Sequence, residues 1–469
     1  MREPRTAGLD GGAKERNALK RTKAVGLICA LIFSSCLKAD AAGQARDQDV
    51  QAEVEDRGSS GPPDFYASEE ELRKYVNEAL DKNPAVREML ARYRAALERV
   101  PQVSTLPDPV FSFTQALQSA ETRVGSVRNA FTLSQSFPWF GTLDLQGKVT
   151  FQDALAVYEL YRARQQEVIV RVKRAFYELA YVDAALAITR EEQSLLEHYE
   201  ALAQTRYATG QGLQQAVIKI QAEITRVLSR LDILEQQRST MEARLNTLLD
   251  QPPHDAVPPV DRLSIPDLTV DLETLYALGL ANRQELKAIE ERIEKNERAI
   301  DLAKKDYWPD FFVGFGFVNV GNRSDEPGII NPPPDNGKNA MSLTAGISIP
   351  IWRNKYDAGV REASESLLAE RSSYANVQNE MEFSIRDQVV RIEITGDQIR
   401  LFEDALIPQA EETLRATEAA YETGQLGVLD LLDSERVLLS VRIVNSRYYS
   451  DLLNALANLE RAIGTRFPR

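Results

Sequence analysis

The chain carries one ordered set of landmarks twice. Ala79-Leu80-Asp81-Lys82-Asn83-Pro84-Ala85-Val86 is matched by Gly279-Leu280-Ala281-Asn282-Arg283-Gln284-Glu285-Leu286, and Pro107-Asp108 by Pro309-Asp310. Ser136-Phe137-Pro138-Trp139 then returns as Ser348-Ile349-Pro350-Ile351, and Tyr207-Ala208-Thr209-Gly210-Gln211 as Tyr421-Glu422-Thr423-Gly424-Gln425. The offsets are 200, 202, 212 and 214. A solenoid unit runs about 20 to 50 residues, so a period this long marks a duplicated domain. We read an export segment at 1–41, a flexible tether at 42–65, a first repeat at 66–251, a Pro-rich linker at 252–266 and a second repeat at 267–467. The jump in offset from 202 to 212 places an insertion on Gly321 to Asn339, which reads as an exposed turn.

Each copy repeats one plan of long helices and paired strands. No proline falls between Pro138 and Pro252, and Val168, Val172, Phe176, Leu179, Val182 and Leu186 recur at threes and fours. That spacing is the seam of a helix packed on neighbours. It predicts a helix from about Leu143 to Arg206, roughly 95 Å long at 1.5 Å per residue. Its counterpart covers about Ala358 to Glu422, with a kink or junction expected at Gly396 and Pro408. Shorter helices are expected over 68–101, 213–249, 270–305 and 427–463. Two strands per copy, at about 110–118 and 129–137 and again at 311–320 and 341–350, alternate apolar with small or polar residues.

Composition then narrows the function. Among 469 residues there are only two His and two Cys, and the net charge is −14. The acidic balance counts against nucleic acid as a partner. So few His and Cys leave almost nothing for a metal site or a catalytic triad, and we expect no enzyme, cofactor or metal. The near misses fail on inspection. Gly141 to Lys148 has one residue too many for a phosphate loop, Gly314-Phe315-Gly316 lies inside a strand, and the methionines are scattered. At the N-terminus, Arg16, Lys20, Arg21 and Lys23 precede an apolar run from Ala24 to Leu37 and a small-residue site, Ala39-Asp40-Ala41. This is the pattern of an export signal. Phe33-Ser34-Ser35-Cys36 also matches a lipoprotein-type site with Cys36 as the acylated residue, and both processing modes stay open.

The strands point to a membrane. Strands of about 9 to 11 residues cross a bilayer, but only a closed barrel satisfies their backbone groups there. Trp139, Phe140, Tyr307, Trp308 and Trp352 flank the strand ends on the helix side, as an interface girdle requires. Four strands cannot close a barrel, since transmembrane barrels begin at about eight. Three chains would give twelve, so the expectation is a homotrimer embedded in outer-membrane lipid. Packing of two hairpins on an ordinary core is the plain alternative.

The chain resembles the TolC family of outer-membrane efflux proteins from about Ala67 to Phe467. The carrying residues are Leu106-Pro107-Asp108-Pro109, Phe137-Pro138-Trp139-Phe140-Gly141, Ile349-Pro350, Pro408-Gln409-Ala410-Glu411, and Tyr421-Glu422-Thr423-Gly424-Gln425 followed by Val428-Leu429-Asp430-Leu431-Leu432-Asp433. The resemblance implies a mainly α fold with a small transmembrane β-barrel, in which a trimer closes twelve strands above a long periplasmic α-helical barrel. It implies a passive exit duct, opened by a periplasmic adaptor protein and driven by an inner-membrane pump. A type I protein secretion conduit shares the fold, and a pore-less periplasmic coiled-coil scaffold is a more distant reading.

The resemblance also assigns the tip. Gly210 and Gly424 end long helices, where glycine permits the left-handed turn, and these turns would carry the adaptor contact. Asp430 and Asp433 match acidic rings that narrow the entrance, and Tyr207 and Tyr421 match tip tyrosines. The first copy has Ala216 and Lys219 in place of the two aspartates, which makes Lys219 a candidate partner for Asp433 in the closed gate. Ordinary solvated helix charges are the plain reading of the same residues.

Overall fold

The computed structural model describes residues 70–118, 121–260, 265 and 271–467. The expected export signal with Cys36, the tether and part of the linker lie outside the described residues. Helices α1 (Glu70–Lys82), α2 (Pro84–Leu97) and α3 (Arg99–Ser104) precede strands β1 (Val110–Gln115), β2 (Glu121–Thr122) and β3 (Gly125–Phe137). Then come α4 (Thr142–Ala208), α5 (Gln214–Leu248), α6 (Leu272–Asn282) and α7 (Gln284–Lys305). Strand β4 (Phe311–Val320), a short α8 (Glu326–Ile330) and β5 (Ala340–Ile347) lead to α9 (Arg353–Leu401). A π-helical turn (Phe402–Leu406) joins α9 to α10 (Ile407–Glu422), and α11 (Val428–Ile463) ends the fold. The chain forms two compact units, one of Glu98–Thr150 with Arg298–Ala363 and the other of the helical remainder.

In the helical unit the duplication is visible in detail. Both copies interrupt their leading helix at the same offset, between Lys82 and Pro84 and between Asn282 and Gln284. Pro84 has no N–H to give and suits a first helical position, while Asn83 Oδ1 accepts the Ala85 N–H at 3.0 Å. Asn83 Nδ2 also donates to Leu248 O at 2.8 Å, and Gln284 Nε2 donates to Gly464 O at 3.0 Å. Each break thus ties its copy's leading helices to the end of its return helix. The shorter helices expected over 68–101 and 270–305 are thus each divided into consecutive helices.

All six seam residues of α4, from Val168 to Leu186, are buried. Val168, Val172, Phe176 and Leu179 join Leu72 and Val76 of α1 with Leu245 of α5 in one core. Val182 and Leu186 join Leu196, Ile220, Leu414 and Leu431 in a second, and Leu275, Leu286, Met381 and Ile385 centre a third. Full burial of one such side chain contributes about 1.5 to 3 kcal/mol.

Only one of the two expected breaks in the second long helix exists. The helix passes Gly396 without interruption. Pro408 does perturb it, because proline lacks the N–H and its ring crowds the carbonyl four residues back. The backbone widens upstream into the π turn, where the Ile407 N–H bonds to Phe402 O.

The other unit holds an antiparallel sheet in the order β1-β3-β4-β5. Its register puts Phe111 opposite Leu133, Leu133 opposite Phe315, and Phe315 opposite Leu343. A second row joins Phe113, Phe131, Phe317 and Met341. Since side chains alternate between faces, these rows share one face, and Ser112, Thr132, Gly316 and Ser342 share the other. The insertion after β4 is more than an exposed turn. Asn339 Oδ1 accepts the Val320 N–H at 3.1 Å, Asn336 Oδ1 accepts the Arg323 N–H at 2.8 Å, and Gly337 N–H reaches Val124 O at 2.7 Å. Arg323 holds Asp325, the residue before α8, through two bonds of 2.5 and 2.7 Å.

Candidate functional site

Two surfaces collect the candidate residues, one in each unit. On the sheet, the apolar face is open to its surroundings: Phe111 is 64% exposed and Leu343 67%. Exposed phenylalanines in unbroken rows are costly in water and favourable in lipid. At the helix-side end of the strands, Trp139 stacks on Trp308 at 4.9 Å and 14°, and on Phe311 at 5.5 Å. Phe140 meets the edge of Trp139 at 5.7 Å. The two Pro-Asp landmarks explain this placement, because each sits where helix passes into strand. Asp310 Oδ1 accepts the Trp139 N–H at 2.9 Å, Ser348 Oγ accepts the Asp310 N–H at 2.8 Å, and Gln135 Nε2 donates to Pro107 O at 2.7 Å.

Tyr307 belongs to a second group. Its hydroxyl donates to Asp357, which pushes the phenol's pKa up, and Arg353 lies over its ring at 5.6 Å. Trp352 stands exposed, apart from the stack. Within one chain Trp139, Phe140 and Trp308 thus share one ring cluster, Tyr307 lies in a second group with Asp357 and Arg353, and Trp352 is exposed.

In the helical unit the tip is built from two turns with the same hydrogen-bond pattern. Gly210 and Gly424 have φ of +73° and +79°. In the first turn the Gly210 N–H bonds to Tyr207 O at 3.1 Å and the Gln211 N–H to Arg206 O at 2.8 Å. In the second the Gly424 N–H bonds to Tyr421 O at 3.0 Å and the Gln425 N–H to Ala420 O at 2.8 Å. Each satisfies helix-end carbonyls while reversing the chain, and a left-handed glycine makes that cheap.

Arg206 joins the two turns, a role that sequence reading misses. Its guanidinium donates to Tyr421 O and lies 5.1 Å over the Tyr421 ring. The first copy's last helical residues thereby cap the second copy's helix end, where carbonyl dipoles favour a cation. An arginine one position before the first tip tyrosine, with Ala420 at the matching place in the second copy, was the only signal available.

The tip tyrosines part company. Tyr421 is buried in the helical core beneath Arg206, while Tyr207 is exposed. Burial pushes the Tyr421 phenol up, with the Arg206 charge opposing it. Asp430 and Asp433 are both exposed. Asp430 Oδ2 accepts the Gly427 N–H at 3.1 Å and so caps the start of α11. Within the chain no ion pair joins Lys219 to Asp433; Asp433 instead acts on Arg436, one turn away on α11. Beyond the tip, Arg436 bridges from α11 to the buried Glu223 of α5, and Tyr199 of α4 donates to Glu418 of α10.

A family profile described as outer membrane efflux protein matches residues 75–251 and 275–465, both copies of the repeat. The chain belongs to that family. It is similar to outer membrane protein TolC of Vibrio cholerae, 23% identical over 419 residues that cover 84% of this chain and 91% of the relative. It is 26% identical to outer membrane protein OprJ of Pseudomonas aeruginosa over 426 residues, 84% of each. A crystal structure of a membrane protein from Pseudomonas aeruginosa has the same fold, with a TM-score of 0.71, 19% identity and coverage of 86% of this chain and 92% of that one. The family places this chain in the bacterial outer membrane as an efflux channel, with its helices in the periplasm.

Proposed function

We propose that this chain works as a homotrimer that closes a twelve-stranded barrel in outer-membrane lipid and serves as the exit duct of a tripartite efflux system. A periplasmic adaptor protein opens it and an inner-membrane pump drives it. The supporting observation is the sheet order β1-β3-β4-β5, in which β1 and β5 each keep one unpaired edge beside exposed apolar rows. An unpaired edge in lipid costs several kcal/mol per backbone group, and pairing β1 of one copy with β5 of the next removes it. Trp139, Phe140, Tyr307, Trp308 and Trp352 then lie at the membrane interface.

The adaptor takes the turns at Gly210 and Gly424. Asp430 and Asp433, with Tyr207 and Tyr421 beside them, form the gate. Lys219 finds no acidic partner among the described residues of its own chain and is free to meet Asp433 of a neighbouring copy. Three copies of two carboxylates in a narrow entrance concentrate cations and hold multivalent ones. Planar-bilayer recording tests the reading. Purified protein should give a cation-selective conductance blocked by a trivalent cation, and the double variant Asp430→Asn with Asp433→Asn should lose both properties. Wild-type selectivity and blocker affinity in that variant would remove the aspartates from the gate.

A further inference from the structure

Between the tip and the middle of the helical unit lies a group of ionisable residues that the exit-duct reading leaves unused. Glu192 of α4 and Glu435 of α11 are 5% and 3% exposed. Their carboxyls lie within hydrogen-bonding reach of each other. Yet Oε2 of each is buried and meets no donor. Two acceptor oxygens facing each other away from water form a stable contact only when something positive sits between them.

Apart from Arg230, which faces Glu192 Oε2 as a long ion pair beyond hydrogen-bond reach, the surrounding cations are committed elsewhere. On α11, Arg436 bridges to Glu223 at 3.1 Å through Nε, and Arg442 reaches Glu191 at 3.2 Å and Glu411 at 2.8 Å. On α10, Arg415 pairs with Glu412 at 2.9 Å, and Glu418 accepts from Tyr199 of α4. On α5, Arg226 also holds Glu223, and Arg230 comes no closer to Glu192 than 3.8 Å. A cavity of about 330 Å³ opens beside the pair, lined by α4, α10 and α11. No group of three or more potential metal ligands exists among the described residues, so the missing positive charge is not a built metal site.

We propose that Glu192 and Glu435 share one proton and act as a clasp between α4 and α11, locking the tip while the proton is bound and releasing α11 when it leaves. Burial and the neighbouring Glu192 charge push the Glu435 carboxyl up to about 8, and burial raises Glu192 as well. At Glu223 burial also pushes upward, but Arg436 and Arg226 outweigh it and hold that carboxyl below its usual value. Glu223 is therefore kept ionised by its arginines while the Glu192–Glu435 pair holds one proton between them, a division set by geometry. The sign follows from linkage. A carboxyl raised in the closed form stabilises that form fully at low pH and loses its contribution as pH rises through about 8. Between the ordinary carboxylate range and about 8 the released fraction grows by up to about tenfold per pH unit, and above that value, with two buried like charges facing each other, it levels off.

This rests on the proposed gate, whose Tyr421 lies on α10 and whose Asp430 and Asp433 lie on α11, so the experiment reads the proton and the gate separately. Infrared spectra of the full chain in detergent, titrated from about pH 6 to about pH 9.5, should show a protonated-carboxyl band that fades near pH 8. The band should be missing in Glu435→Gln. Bilayer conductance over the same range should rise with alkaline pH in the wild type and stay flat in Glu192→Gln and Glu435→Gln, whose amides donate without titrating. Absence of the titrating band in the wild type overturns the shared proton even if the protein conducts. A band that titrates with no change in conductance overturns the clasp as a lock. A band that shifts when sodium or magnesium is added at fixed pH assigns the site to a metal ion and overturns the proton.

Discussion

At the residue scale the tip shows how two equivalent positions come to differ. Gly210 and Gly424 both need a left-handed backbone, and an L-residue there costs about 1 to 2 kcal/mol. A methyl at Gly210 would meet nothing within 4 Å, whereas one at Gly424 would lie 3.0 Å from Arg206 Nη2. Gly424→Ala should therefore lower stability more than Gly210→Ala, measured by chemical unfolding of the helices, and should also displace the guanidinium from the Tyr421 carbonyl. Equal losses would mean that Arg206 is not seated where the structure has it. Arg206→Ala should cost about 1 to 2 kcal/mol through the lost charged hydrogen bond and should speed amide exchange at Gly424 and Gln425. Asp430 carries a similar double duty. Because it caps α11, its replacement by Ala should cost about 0.5 to 2 kcal/mol, while Asn, which keeps an acceptor, should cost less. For that reason Asn is the cleaner variant for testing selectivity, and a stability loss of the same size in both variants would argue against the cap.

At the element scale the sheet register sorts neighbouring residues into opposite environments. Phe131 lies in an apolar row between Phe113 and Phe317, and Ser134 lies on the other face between Val110 and Gly314. Phe131→Arg should lower barrel stability by about 2 to 4 kcal/mol if the row sits near mid-bilayer, and Ser134→Arg should be tolerated. Folding titrations into lipid vesicles give both numbers; similar values would mean that the lipid face is assigned wrongly. The π turn belongs to this scale too. It arises because Pro408 cannot join the helix ladder, so Pro408→Ala should let α9 run into α10 with ordinary helical bonding and raise amide protection around Ile407.

At the scale of the whole molecule the two unpaired edges govern assembly. Single cysteines walked along β1 and β5 should, when paired in one chain and oxidised in detergent, give covalent species of up to three chains at matching positions and none at mismatched ones. Mass measurement of uncrosslinked protein should also return three chains. A stable conducting monomer would sink the twelve-stranded barrel. The covalent geometry of a disulfide makes the test sharp, since Cα atoms more than about 7 Å apart do not bridge.

Much of this protein was legible in the sequence because its signals are periodic and local. The seam from Val168 to Leu186 reports its own burial through spacing alone, the alternation in 311–320 reports a strand with two unlike faces, and the repeated Tyr-x-Thr-Gly-Gln run reports its turn through glycine chemistry. What the tertiary structure decided is long-range. Nothing near Arg206 announces that it caps a helix end 215 residues away, and nothing near Glu435 announces that it faces Glu192 rather than a cation. Gly396 shows the opposite case, a local break signal overruled by packing, in a helix held on both sides by buried Ile392 and Ile399. Propensity and period act within a few residues, whereas partners for buried charge and for orphan carbonyls are fixed only when distant segments meet.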